Sequence, residues 1–367
     1  MTIAAITMPK WGLTMTEGKI LGWLKQEGDA VSAATEIVEI ETSKITNVME
    51  AGETGTLRRL VAAEGTTLPI GALIAVVAPP EVADAEIDAF VAGFEAPPPT
   101  EDDAAESNGP APHVIEAGGR RLRVLEIGEG TPIVFIHGFG ADLNTWMFTQ
   151  PALAERHRTV ALDLPGHGGS VKDVGVGDVA TLAGAVEDTL DALGIDTPHL
   201  VGHSLGGAIA LAVAKVRPVA SLTLIASAGL GGEINGQFIA GFVAMQRRRE
   251  AIEVLNLLVH DPAMVSRSMV EDVLRYKRLD GATASLEAVA AACFPGGTQS
   301  PALTAKPSAR TQIIWGRSDR IIPAAHAHSL GADVPAHILD DAGHLPHMEK
   351  SGEVSRLIQR FIESMDG

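Results

Sequence analysis

Residues 199–214 read H-L-V-G-H-S-L-G-G-A-I-A-L-A-V-A. The run ending at His203 has the length and apolar character of a buried strand, and the run from Gly207 has the composition of a packed helix. Gly202-His203-Ser204-Leu205-Gly206 joins them and fits the pattern G-x-S-x-G. Its glycines permit a tight strand-to-helix turn that lifts a serine hydroxyl above a sheet edge. Working outward, similar apolar runs recur as T-P-I-V-F-I-H-G (131–138), H-R-T-V-A-L-D-L (157–164), A-S-L-T-L-I-A-S (220–227), R-T-Q-I-I-W-G (310–316) and A-H-I-L-D (336–340). Helical stretches such as V-A-T-L-A-G-A-V-E-D-T-L-D-A-L-G (179–194) separate most of them. V-I-E-A-G-G-R-R-L-R-V-L-E-I (114–127) reads as a hairpin turning at Gly118-Gly119. Residues 113–367 are therefore expected to form an α/β domain with a mainly parallel sheet. Helix-like sequence alone fills about 229–300, expected as a lid inserted between two late strands.

A serine hydroxyl needs a base to act as a nucleophile, and the base needs an acid to orient it. In chains of this layout the order is serine, acid, histidine. Asp319 in W-G-R-S-D-R-I-I-P and His344 in D-A-G-H-L-P-H each follow a strand-like run, where open α/β sheets gather their active-site residues. Ser204, Asp319 and His344 are the candidate catalytic set. Asp340 and Asp341 are weaker candidates for the acid, and His326 and His347 read as surface or packing histidines. His137-Gly138-Phe139-Gly140 follows the strand P-I-V-F-I, so the backbone amides of Phe139 and Leu205 are the expected oxyanion donors.

The first 79 residues differ in texture: short β-like runs punctuated by glycine, with no convincing helix. Gly18 and Gly55, and Gly28 and Gly65, are separated by the same offset (55 − 18 = 65 − 28 = 37), and Ile37 falls on Ile74. Two similar halves suggest a small, flattened all-β barrel with quasi-two-fold symmetry. In E-I-V-E-I-E-T-S-K-I-T-N-V-M-E (36–50) two half-buried strand patterns flank Thr42-Ser43-Lys44, which places Lys44 at a hairpin tip. Residues 80–112 are rich in Ala, Pro and acid and hold no Lys or Arg, the composition of a self-repelling linker. Within it, E-V-A-D-A-E-I-D-A-F-V-A-G-F has near-helical apolar spacing, which offers a short helix docking on another surface, with a transient helix the expectation.

M-P-K-W-G-L-T-M-T-E-G-K-I (8–20), the E-G-D-A-V turn (27–31) and the E-T-S-K hairpin (41–44) together resemble a lipoyl domain of 2-oxo-acid dehydrogenase complexes. The resemblance covers residues 1–79 and implies lipoate in amide linkage to Lys44. Biotin domains share this fold but place methionine on both sides of the lysine, where this chain has Ser43 and Ile45. The G-H-S-L-G and H-G-F-G motifs, with L-D-L-P-G-H-G-G-S (162–170), resemble the α/β-hydrolase superfamily over residues 113–367. The union of the two is similar to the acyltransferase components of acetoin dehydrogenase complexes. That resemblance implies transfer of an acetyl group from the lipoyl arm to coenzyme A. It also implies thiamine-diphosphate-dependent dehydrogenase subunits, a dihydrolipoyl dehydrogenase and a lipoate-attaching enzyme as partners, and a homo-oligomer is expected. The chain lacks the H-x-x-x-D-G motif of the usual trimeric acyltransferase domain, and a basic partner-binding module in the linker. Two other readings stay open: a hydrolase or thioesterase using the same triad with water as acceptor, and a carrier or scaffold whose serine domain only docks partners.

Bulk composition narrows the field. A net charge of −18 over 367 residues argues against nucleic acid and against an anionic membrane surface as partners. The single Cys293, in apolar A-A-C-F-P, permits no intramolecular disulfide and fits a reducing compartment. The N-terminus lacks the pattern of a secretory signal and no apolar run reaches membrane-spanning length, so a cytoplasmic location is expected. No metal site is expected.

Overall fold

A computed structural model describes residues 3–9, 15, 17–33, 35–42, 46–94, 110–300 and 307–366. Lys44, with Ser43 and Ile45, lies outside the described residues. The chain divides into two compact units, one ending at Gly109 and the other beginning at Pro110.

The first unit is built on eight strands: β1 (Ala4–Thr7), β2 (Glu17–Trp23), β3 (Ala30–Val31), β4 (Glu36–Glu41), β5 (Thr46–Glu50), β6 (Gly55–Leu60), β7 (Thr67–Pro69) and β8 (Leu73–Ala78). They form two four-stranded antiparallel sheets, ordered β1-β8-β6-β3 and β5-β4-β2-β7. The internal repeat is written into the hydrogen bonds. Gly28 N–H donates to the Leu57 carbonyl, and Gly65 N–H to the Ile20 carbonyl, each at 2.7 Å. Each bond is the other moved by the 37-residue offset, because 57 − 20 equals 65 − 28. Both glycines hold positive φ, +97° and +81°, which an L-residue adopts only at a cost. Ile20, Ile37, Ile40, Leu57 and Ile74 are fully buried in the core. Strands β4 and β5 pair from Glu36↔Glu50 to Glu41↔Thr46.

Inside the stretch whose composition reads as linker, Asp84–Ala92 form helix α1. It is docked rather than transient. Ile87 is fully buried, and Leu73, Val76 and Val82 pack in the same cluster with Phe90, Val91 and Phe94. Arg58 reaches Asp84 at 2.6 Å and Arg59 reaches Asp88 at 2.6 Å, though both aspartates are well exposed and such pairs contribute little. Apolar burial decides the outcome here, against an acidic composition that favours disorder.

The second unit carries an eight-stranded sheet: β9 (His113–Ala117), β10 (Arg120–Ile127), β11 (Pro132–Ile136), β12 (Arg158–Leu162), β13 (His199–His203), β14 (Ser221–Ile225), β15 (Thr311–Gly316) and β16 (Ala336–Leu339). The spatial order is β16-β15-β14-β13-β11-β12-β10-β9. The β9–β10 hairpin turns through Gly118-Gly119, both at positive φ, and β10 runs antiparallel to β12. The six strands β11 to β16 are parallel to one another. From β11 the chain goes to one side for β12 and to the other for β13, so the switch point of the sheet lies at β11. Crevices that bind ligands form at such points, at the carboxyl ends of the strands.

Helices α2 (Thr149–Ala154), α3 (Val179–Ala192) and α4 (Leu205–Val216) connect these strands. Between β14 and β15 comes an insertion containing α5 (Gly236–Ala244), α6 (Arg248–Leu255), α7 (Arg267–Lys277) and α8 (Ala282–Cys293). The chain ends in α9 (Pro346–Glu349) and α10 (Ser351–Asp366), and Val354, Ile358 and Ile362 of α10 bury against the sheet core. Among the described residues no helix is long and apolar enough to cross a membrane.

Truncating Ile87 tests the docking of α1. Ile87→Ala should destabilise the first unit by about 2–5 kcal/mol, the usual range for emptying a fully buried aliphatic site. Urea unfolding of the full chain, followed by a probe of the barrel, measures it; a change near zero would mean that α1 is not held by its apolar face.

Candidate active site

The serine is presented by backbone packing. Ser204 lies between β13 and α4 at φ 52° and ψ −120°, a conformation that non-glycine residues avoid. A Cβ at position 202 would collide with the Gly206 carbonyl, and one at 206 with the carbonyls of Ile136 and His137. The strand end, the helix start and β11 approach too closely for side chains there. Ser204 N–H is bonded to Ile225 O at 3.0 Å, and Ser204 O accepts from Gly207 N and Ala228 N at 2.9 Å each. The residue is only 6% exposed.

The structure brings Asp319 and His344 together from the loops after β15 and β16. His344 Nδ1 lies 2.8 Å from Asp319 Oδ2, and both side chains are buried. Asp319 accepts four bonds in all: Oδ2 also takes Trp315 Nε1–H at 2.9 Å, and Oδ1 takes the amides of Ile321 and Ile322 at 2.8 and 3.0 Å. A carboxylate can only accept, so Nδ1 carries the imidazole proton and Nε2 presents its lone pair. Among the described residues no hydrogen bond joins the Ser204 hydroxyl to His344.

Loop 137–139 completes the constellation. Leu164 N–H donates to His137 Nε2 at 3.0 Å, which leaves Nδ1–H to donate to the Gly138 carbonyl at 2.8 Å. Burial lowers the His137 pKa and keeps the ring neutral. A Cβ on Gly138 would stand 3.0 Å from Ser204 Cβ, so this loop runs directly over the serine. Neither the Phe139 nor the Leu205 N–H has a protein acceptor among the described residues, the condition expected of oxyanion donors. The Phe139 ring packs edge-on against Phe242 and Phe294 of the insertion, at 5.7 and 5.8 Å between centroids. Phe294 also lines a pocket of about 360 Å³ whose walls include Ile239, Val243 and Ala290 together with the carboxylate residue Glu287.

Other sequence candidates fall out. Asp340 pairs with Arg317 at the surface, and the Asp341 side chain is 75% exposed. Neither surface reading of His326 or His347 survives: both are buried and pack. His326 is held by Glu233 at 2.6 Å, while His347 bonds Thr145 Oγ1 at 2.8 Å and stacks on His203 with 4.4 Å between ring centroids. His203 was passed over as a filler of the serine motif. Its Nε2–H donates to the His344 carbonyl at 2.8 Å, and burial drives its pKa well down. Glu349 was also missed, because no sequence pattern marks a carboxylate that will bind backbone amides. Among the described residues no cluster of three or more His, Cys, Asp or Glu side chains is placed to hold a metal ion.

Residues 133–357 match the model of the alpha/beta hydrolase family, and residues 4–77 match the biotin/lipoyl model described as "Biotin-requiring enzyme". The chain is 47% identical over 365 residues to a Pseudomonas putida protein named dihydrolipoyllysine-residue acetyltransferase component of acetoin cleaving system, covering 98% of each. A Cupriavidus necator protein of the same name is 43% identical, again over 98% of each chain. The chain belongs to this family, a lipoyl-type barrel joined to an α/β-hydrolase fold. The hydrolase unit alone also matches a meta-cleavage product hydrolase structure from Pseudomonas fluorescens at a TM-score of 0.62, with 22% identity over 69% of this chain and 97% of that one. At that identity the likeness concerns the fold.

Buried neutral histidines give the family member a pH-dependent stability. Burial lowers both His347 and His167 to about 3. When unfolded each titrates near 6.5, so between about pH 6.5 and 3 the unfolded chain binds the extra proton and stability falls as pH falls. Each histidine should cost about 1.4 kcal/mol per pH unit within that window. Urea midpoints at pH 7.5 and pH 5.5 measure it, and equal midpoints would contradict the neutral assignment.

Proposed function

We infer that this protein is a dihydrolipoyllysine-residue acetyltransferase of an acetoin-cleaving system, moving an acetyl group from a lipoyl thioester to coenzyme A through Ser204, His344 and Asp319. The observation that carries the reading is the buried His344–Asp319 pair beside a strained, elbow-mounted serine, on a chain that also bears a lipoyl-type barrel. The match of residues 4–77 to the biotin/lipoyl model supports Lys44, in the E-T-S-K sequence, as the lipoyl attachment point. Lipoate there would supply the acyl group as a thioester on a long arm.

The chain's own groups then divide the work. His344 Nε2 takes the proton of the Ser204 hydroxyl as the oxygen attacks the thioester carbonyl. The Phe139 and Leu205 amides hold the oxyanion, each worth roughly 3–4 kcal/mol in comparable sites. As the carbon–sulfur bond breaks, His344 returns the proton to the departing sulfur and an acetyl ester remains on Ser204. Coenzyme A repeats the sequence in reverse: His344 takes the thiol proton, sulfur attacks the ester, and the serine leaves with the proton restored. Asp319 holds the imidazole in its tautomer and stabilises the transient imidazolium. No oxidant or reductant is consumed.

The natural partners are the thiamine-diphosphate-dependent subunits that load the arm, a dihydrolipoyl dehydrogenase that reoxidises it and a lipoate-attaching enzyme. The setting is the cytoplasm, and a homo-oligomer fits a complex of this kind. A second reading, hydrolysis with water as acceptor, has a specific observation behind it. The hydrolase unit is 28% identical over 274 residues to a Pseudomonas putida protein named 2-hydroxy-6-oxo-2,4-heptadienoate hydrolase.

Incubating lipoylated protein with an acetyl donor and coenzyme A separates the readings: acetyl-coenzyme A is expected, and free acetate at the same rate without coenzyme A would favour the hydrolase. Ser204→Ala should abolish transfer and leave loading of Lys44 intact, while Lys44→Arg should abolish loading and leave the fold unchanged. Intact-mass analysis and a coenzyme A transfer assay score both; wild-type transfer by Ser204→Ala would remove the serine from the mechanism.

A further inference from the structure

Glu349 is a buried carboxylate with no part in the chemistry above. Its Oε1 accepts the amides of Gly343 and Leu345, at 2.8 and 3.2 Å, and so brackets His344 from both sides. Its Oε2 accepts the His260 amide at 2.6 Å. His260 belongs to the helical insertion, and the same stretch touches the histidine loop again: His344 N–H donates to the Leu258 carbonyl at 2.7 Å. Gly343 is packed so closely on residues 258–260 that a Cβ there would stand 2.7–2.8 Å from their backbone.

The acid loop grips this stretch as well. Ser318 Oγ meets His260 Nδ1 at 2.9 Å, and Arg320 Nη2 donates to the carbonyls of Val259, at 2.8 Å, and Asn256. The insertion thus threads between the loops that carry Asp319 and His344, and Glu349 is the group that binds it to both flanks of the histidine. Only a carboxylate fits this role. Three N–H donors converge on two oxygens, and an amide would turn one of its own donors towards them.

We propose that Glu349 is a positioning residue: its carboxylate locks residues 343–345 to segment 258–260 of the insertion, and so sets the place of the His344 imidazole relative to Ser204. The proposal rests on His344 acting as the base in the reading above.

The test compares wild type, Glu349→Gln and Ser204→Ala in the coenzyme A transfer assay, with folding checked by circular dichroism and thermal melting. Glu349→Gln should fold and lose kcat by about 10²-fold, the scale of an ångström-level misplacement of a reacting group. KM for the thioester should stay within about twofold, because the carboxylate touches no substrate. A role in stability alone would lower the melting temperature and leave the kcat of the folded variant in place. Wild-type kcat in Glu349→Gln, with Ser204→Ala inactive, would overturn the proposal alone. Full transfer by Ser204→Ala would overturn the serine reading and this proposal together. If Glu349→Gln does not fold, Glu349→Asp decides: it keeps the charge but withdraws the oxygens by one methylene, so a similar fall in kcat supports the proposal and wild-type kcat overturns it.

Discussion

The close crossing of β11, β13 and α4 is the constraint on which the site depends. With no room for a Cβ at Gly202 or Gly206, the strand end and the helix start come together and force Ser204 to φ 52°. Such a conformation costs on the order of 1–3 kcal/mol and survives only where surrounding packing over-determines it. Here the packing is dense: the Ser204 amide and carbonyl are both spent on β14 and on the chain that follows it. The hydroxyl is the only polar group of the residue left for chemistry.

Strain is not confined to the serine. The described non-glycine residues at positive φ are Ser204, Ala226 and Asp341. They follow β13, β14 and β16, all at the carboxyl edge of one sheet. Ala226 continues directly from Ile225, whose carbonyl holds the Ser204 amide, and Asp341 opens the turn that delivers His344. Strands supply a rigid edge, and the strained residues bend the chain sharply off it so that side chains from separate loops meet. The energy for this comes from the apolar sheet, where Ile133, Phe135, Val201, Ile225 and Ile314 are buried.

Much of this was legible because it is local. The glycine spacing around Ser204, the apolar strand runs and the 37-residue repeat are short-range signals with one physical meaning each. Asp319 and His344 were found by chain order and position after a strand, which topology then converts into a 2.8 Å contact. The missed features are non-local. Nothing in M-E-K-S announces that the Glu349 side chain will turn back onto three backbone amides, one of them 89 residues away. Nothing in G-H-S-L-G announces that His203 will donate to the carbonyl of His344, 141 residues later. The docked helix α1 was misjudged for a related reason. An acidic, proline-flanked composition describes the average behaviour of a segment, whereas Ile87 and its neighbours answer to one specific apolar surface.

His203 and Glu349 also show how the catalytic imidazole is held from behind. A hydrogen-bonded imidazole–carboxylate pair fixes ring orientation, yet it leaves the backbone of His344 free to shift as a body. In this chain the His344 amide is bound by Leu258, its carbonyl by His203, and the adjoining amides by Glu349. The amide and carbonyl of His344 and the amides on either side of it are therefore committed, and two of the commitments lead into the helical insertion. An insertion so attached is part of the catalytic frame rather than a cover laid over it. Transfer to a thiol, in preference to water, needs a site that closes without losing the geometry of its base. In the transferase reading proposed above, tying residues 258–260 to the loop of His344 through one buried carboxylate would serve both requirements with the same contact.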